Sequence, residues 1–167
     1  MMESSENEKN GKKNRMFMIL ERIPVFSDLS DSYKNMLLSI SQKKTLNAGE
    51  VLCREGDKSN AMFILLVGKL SVKITNSATV ATINPIGTIG EMGVFTGETR
   101  SATVEAMEKS ALLAIRADDI NTLIKKEPQL GLNIMRKVIK ILAQRIQDHN
   151  IRIREFQNYI LSQEDSE

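Results

Sequence analysis

The sequence predicts a mainly β domain, a sandwich or barrel, with helices on both sides of it. Three observations carry that prediction. Between about Lys43 and Ile115, short β-type runs alternate with turn residues at the spacing of sandwiches and barrels. Before and after this stretch, apolar residues recur at helical spacing. The composition, 41% hydrophobic and 26% charged over 167 residues, is that of a globular chain long enough to bury a core.

Residues 1–13 read as a disordered polar tail, too poor in apolar side chains to fold alone. From Asn14 to Ile23, Met16, Ile19, Leu20 and Ile23 fall on one helical face, and Pro24 stops the segment. Asp28-Leu29-Ser30-Asp31 then supplies a turn and an N-cap for a helix through Tyr33, Met36, Leu37 and Ile40. The predicted strands are Glu50–Cys53, Ala61–Leu66, Lys69–Thr75, Thr79–Ile83, Ser101–Ala106 and Ala111–Ile115. Between them stand Asn47-Ala48-Gly49, Glu55-Gly56-Asp57, Gly68, Asn76-Ser77 and Asn84-Pro85. Asp118 and Asp119 can cap a short helix through Ile120, Leu123 and Ile124 that ends near Pro128. The domain body thus covers 14–127, a long helix 128–161, and an acidic tail 162–167.

Composition also excludes functions. The net charge of +2 gives no general pull towards nucleic acid. No apolar run approaches the ~20 residues of a membrane span, and no signal-peptide core opens the chain. His149 is the only histidine and Cys53 the only cysteine. Zinc-finger and His-rich metal sites are therefore out of reach, and an internal disulfide is impossible. A catalytic Ser-His or Cys-His unit would need His149, which sits on the long helix away from any nucleophile elbow. The expectation is a non-enzymatic, cytoplasmic protein without a metal or cofactor. Cys53 reads as a small buried hydrophobe within a strand.

The stretch from Gly87 to Val104 is the most chemically loaded part of the chain. Glycines at 87, 90, 93 and 97 surround room for about one helical turn, and Arg100 follows before the next strand. Glycine lets backbone N–H groups approach an anion, and a helix start leaves N–H groups unpaired. The guanidinium fork matches phosphate oxygens. The loop reads as a phosphate cradle with Glu91 inside it as an acceptor; the plainer alternative is a glycine loop closing a sandwich.

In the long helix, Leu132, Ile139, Ile146, Ile153 and Ile160 recur in sevens, with Met135, Leu142, His149 and Phe156 three residues later. That is an a/d seam with mostly β-branched a positions, which favours two parallel strands. Ile134, Val138 and Ile141 widen the apolar face at the start, where the helix packs on its own domain. Past Gln147 the seam narrows and needs a partner helix, so a homodimer is expected. His149 either sets register in the seam or faces the cradle.

The ordered run Leu46-Asn47-Ala48-Gly49-Glu50-Val51-Leu52, Arg54-Glu55-Gly56-Asp57, Ala61-Met62-Phe63-Ile64-Leu65 and Gly68-Lys69-Leu70, followed by Gly90-Glu91 and Arg100-Ser101-Ala102, resembles the cyclic nucleotide-binding domain family. It covers about Ile23 to Asn150. The likeness is to the sensor domains of catabolite activators and of cyclic-AMP-dependent kinase regulatory subunits. It implies a double-stranded β-helix or jelly-roll, the cyclic nucleotide-binding β-roll, plus N-terminal helices and a long C-terminal helix. It also implies that Glu91 bonds the ribose 2′-hydroxyl and that Arg100 pairs with the cyclic phosphate. Backbone N–H groups at Gly90, Met92 and Ala102 would join them, and Ser101, another candidate ligand-binding residue, resembles the bacterial catabolite activators. By alignment of Leu142-Ala143-Gln144-Arg145-Ile146, the resemblance places His149 and Asn150 where base contacts are made, from the same or a partner subunit.

The expected ligand is cyclic AMP, with cyclic GMP open because Ser101 also offers a hydroxyl to a guanine amino group. A cyclic dinucleotide fits the short cassette less well. Only an acidic tail follows the seam, so no DNA-binding helix is expected and the output falls to an unidentified effector protein. The competing reading is an interaction scaffold on the same fold without a ligand.

Overall fold

The computed structural model describes residues 11, 14–74 and 79–164, apart from the side chains of Arg145, Asp148, His149, Arg152, Phe156 and residues 158–164. Residues 1–10, 12, 13 and 165–167, most of the two expected polar tails, lie outside the described residues. Two helices lead in. Helix α1 covers residues 14–22 and stops before Pro24. Helix α2 (Asp31–Ser39) opens on Ser30, whose hydroxyl accepts from the Tyr33 N–H at 3.4 Å.

Among the described residues, eight strands form two four-stranded antiparallel sheets. In chain order they are β1 (Gln42–Leu46), β2 (Val51–Cys53), β3 (Ala61–Val67), β4 (Leu70–Lys73), β5 (Thr79–Ile83), β6 (Thr88–Ile89), β7 (Thr103–Ala106) and β8 (Ser110–Arg116). One sheet runs β1-β8-β3-β6 and the other β2-β7-β4-β5. The short, six-residue helix α3 (Glu91–Thr96) separates β6 from β7. Helices α4 (Ala117–Lys126) and α5 (Pro128–Glu164) close the chain.

Strand β3 is apolar on both faces because it is covered on both. Ala61, Phe63 and Leu65 point between the sheets, joining Leu46, Cys53, Leu70, Ile89, Val104 and Leu112. Met62 and Ile64 point the other way, into a second core with Leu20, Ile23, Phe26, Leu37, Ile115, Ile120, Leu130 and Ile134 from the helices. The alternation of a strand thus serves two cores at once. Proline at the first position of α5 loses nothing, since that N–H has no intrahelical partner. At Gly131 the two last helices touch, and a Cβ there would fall on Ile124.

Three details depart from the expected elements. β1 was not anticipated: Gln42, Lys43, Lys44 and Thr45 are exposed on an edge strand bonded only to β8, so no apolar alternation marks them. β6 is two residues long, pairing Ile89 with Phe63 and Thr88 with Ile64. Asp118 and Asp119 do not cap α4. β8 runs on to Arg116, which takes the cap position without a side-chain bond, and the two carboxylates stand in the first turn, where they complement the helix dipole.

Candidate functional site

The loop after β6 is shaped by two glycines in the left-handed region. Gly90 (φ 74°) starts α3 and Gly97 (φ 78°) ends it, its N–H donating to the Gly93 carbonyl at 2.9 Å. Three residues after Gly97 the chain delivers Arg100 back under the loop, against Gly90. Its side chain is 5% exposed. Nη2 donates to the Ala61 carbonyl, and the guanidinium carbon lies 5.5 Å from the centroid of the Phe63 ring. Gly90 lies against the other side: a Cβ there would fall on Nη1. Nε and Nη1 are buried with no hydrogen-bond partner.

An arginine stays charged at any physiological pH, and a buried guanidinium with unused donors costs several kcal/mol unless an anion meets it. These donors border a cavity of about 680 Å³. Gly90, Glu91, Met92, Arg100, Ser101 and Ala102, six of the residues singled out from sequence, line it together. The volume is in the range of small-molecule sites. The geometry suits a ligand with one compact anionic group at Arg100 and a hydroxyl within reach of a carboxylate.

Sequence reasoning missed the other wall. Cys53, Val72, Ile83 and Val104 line the same cavity from β2, β4, β5 and β7. Their inward facing follows from the strand register, which no local pattern specifies. Burial pushes the Cys53 thiol above its ordinary value, and the Arg100 charge offsets part of the effect. Phe63 and Ala61, which seat the guanidinium, were legible only as strand residues. Asn150 is exposed on α5 and does not line the cavity in the single chain; the His149 side chain is outside the described residues.

Helix α5 passes beside the loop. Val138, Ile141 and Leu142 share a small crevice with Pro24, Val25, Thr88, Glu91 and Met92. Beyond Leu142 the described side chains of α5 are exposed. Among the described residues no group of His, Cys, Asp and Glu could hold a metal ion, and no helix is long and apolar enough to cross a membrane.

A glycine-bounded turn and a buried arginine inside a two-sheet roll define a ligand-binding module. Residues 43–127 match the model of the cyclic nucleotide-binding domain, and the chain belongs to that family. It is 30% identical over 123 residues, 74% of this chain and 34% of the other, to a cyclic nucleotide-gated potassium channel of Mesorhizobium japonicum. A cyclic nucleotide-binding domain from Methylobacillus flagellatus superposes with a TM-score of 0.70 at 25% identity, covering 86% of this chain and 83% of that one. The regulatory domain of Toxoplasma gondii PKA, crystallised with cAMP, gives 0.64 at 26% identity over 70% and 46%. The chain spans about a third of the length of the first curated relatives it matches. The family is typically regulatory, and some of its domains belong to multidomain enzymes.

Proposed function

We propose that this protein is a cyclic nucleotide receptor, with cyclic AMP as its ligand, and that it acts on a partner through α5 rather than by catalysis. One observation carries the reading: Arg100 is buried with Nε and Nη1 unused, at the edge of a cavity sized for a mononucleotide. The cyclic phosphate would take those donors, and Glu91 would accept from the ribose 2′-hydroxyl. The Toxoplasma domain was crystallised with cAMP, which supports a cyclic nucleotide of that kind as the ligand. A ligand-free scaffold would have no reason to keep a charge that destabilises the empty fold.

Switching requires that α5 have two placements with different ligand affinities. The crevice shared by Glu91, Met92, Val138, Ile141 and Leu142 supplies the contact through which the loop would sense the helix. A second copy joined along α5 and a distinct effector complete the proposal.

Calorimetry with cyclic AMP and cyclic GMP tests it. Wild-type protein should bind cyclic AMP at micromolar concentration or tighter. Arg100→Ala should weaken binding about thirtyfold or more, the loss typical of a buried charge-assisted contact (~2–5 kcal/mol), with circular dichroism showing the fold retained. Equal affinity in the two proteins, or no binding to wild type, would sink the receptor reading.

A further inference from the structure

Arg100 is held at its backbone as well as its guanidinium. Its N–H donates to the Asp57 carbonyl at 2.8 Å, and its carbonyl accepts from the Gly56 N–H at 2.8 Å. Beside them Lys58 and Thr99 form an isolated antiparallel bridge. The Ala61 carbonyl that accepts from Nη2 lies three residues further on. The backbone anchors at Gly56, Asp57 and Lys58 all belong to the segment joining β2 to β3, and Ala61 is the first residue of β3 itself.

That segment is a tight turn with its own fastening. The Asp57 N–H donates to the Arg54 carbonyl at 3.1 Å, and the Asp57 carboxylate accepts from the Arg54 N–H at 2.7 Å. Gly56 occupies the left-handed region (φ 84°), and the Glu55 N–H donates to Thr103 Oγ1 at 3.0 Å. An aspartate bonding a nearby backbone N–H is a common way to lock such a turn. Asp57 is exposed and does not line the cavity.

We infer that Asp57 is a positioning residue for the nucleotide: its carboxylate locks the turn from which Arg100 hangs, and so sets where the guanidinium stands. The inference rests on the receptor reading of the site. Arginine is long and flexible, while two-point recognition of a phosphate is sensitive to small displacements of the fork. A turn that opens at Asp57 releases the backbone of residue 100 on both sides. The carboxylate acts here as a hydrogen-bond acceptor for the Arg54 N–H.

Two variants and two readouts decide it. Asp57→Ala removes the acceptor; Asp57→Asn keeps an oxygen in its place. In ligand-free protein, the Arg100 Nε–Hε resonance should be sharp and displaced in wild type and in Asp57→Asn. In Asp57→Ala it should move towards the solvent-exposed position or broaden. Cyclic AMP affinity should fall about tenfold or more in Asp57→Ala and stay within about threefold in Asp57→Asn, with unfolding midpoints close to wild type. An Asp57→Ala protein with wild-type affinity and an unmoved Arg100 resonance would overturn the inference. So would equal losses in both variants, which would assign the effect to charge. If wild type binds no nucleotide, the receptor reading falls, and the resonance still decides whether Asp57 positions Arg100.

Discussion

Gly90 and Gly97 bound the same helix with nearly the same backbone, at φ 74° and 78°, yet they do different things. A Cβ at Gly97 meets nothing within 4 Å, whereas one at Gly90 falls on Arg100. Gly97→Ala should therefore cost only the left-handed strain of about 1–2 kcal/mol and leave nucleotide affinity within about threefold. Gly90→Ala carries the same strain and also displaces the guanidinium, so affinity should fall well beyond the loss of stability. Thermal unfolding and calorimetry on the two variants separate the effects. Glu91→Gln should be milder than Arg100→Ala in the same assay, because an amide oxygen still accepts from a hydroxyl. These residues were readable in the sequence because glycines, Glu91 and Arg100 lie within one short loop. Phe63, Ala61 and Cys53 were not, since only the pairing of β3 with β6 and β8, and of β2 with β7, brings them to the site.

Among the elements, the strands with apolar faces were legible and the exposed edge was not. Gln42-Lys43-Lys44-Thr45 forms β1 because β8 offers it a bonded edge, not through any periodicity of its own. Helix α5 was legible too, although its tie to the lead-in segment was not. Lys137 Nζ reaches Asp28 Oδ2 at 2.6 Å across most of the chain length. Hydrogen bonds from Lys137 first and Ser27 second hold the Asp28 carboxyl below its ordinary 3.8. A carboxyl with a lowered value favours the folded arrangement at higher pH, and that contribution is lost as pH falls through the lowered value. An NMR titration of Asp28 should show a midpoint below 3.8, and Lys137→Met should return it towards 3.8. Because Asp28 is exposed, added salt should weaken the tie. A carboxyl that titrates normally in wild type would remove this pair from the fastening of α5.

At the scale of the molecule, α5 has two kinds of surface. Leu130 and Ile134 are buried in the helical core, while Leu132, Ile139, Ile146 and Ile153 are 45%, 62%, 61% and 55% exposed. The heptad spacing was readable from sequence, and so was the face the domain uses at the start, where Ile134 is in the core and Val138 and Ile141 pack against it. An exposed stripe of this length fits a second copy of the same helix. Sedimentation at tens of micromolar should give a dimer, and Ile139→Glu with Ile153→Glu should give a monomer whose β-domain unfolds as before. A wild-type monomer would leave the stripe without its expected occupant.

The place where α5 leaves the domain has a mechanical consequence. Its last shared crevice with the glycine loop involves Leu142, and the helix continues to Glu164. At 1.5 Å per residue that is an arm of about 33 Å. A tilt of roughly 10° at its root carries the far end through about 6 Å, more than the rise of one helical turn. A helix that projects this far magnifies any change of angle at its root, so a tilt that moves the atoms beside Leu142 very little displaces the far end by several ångströms.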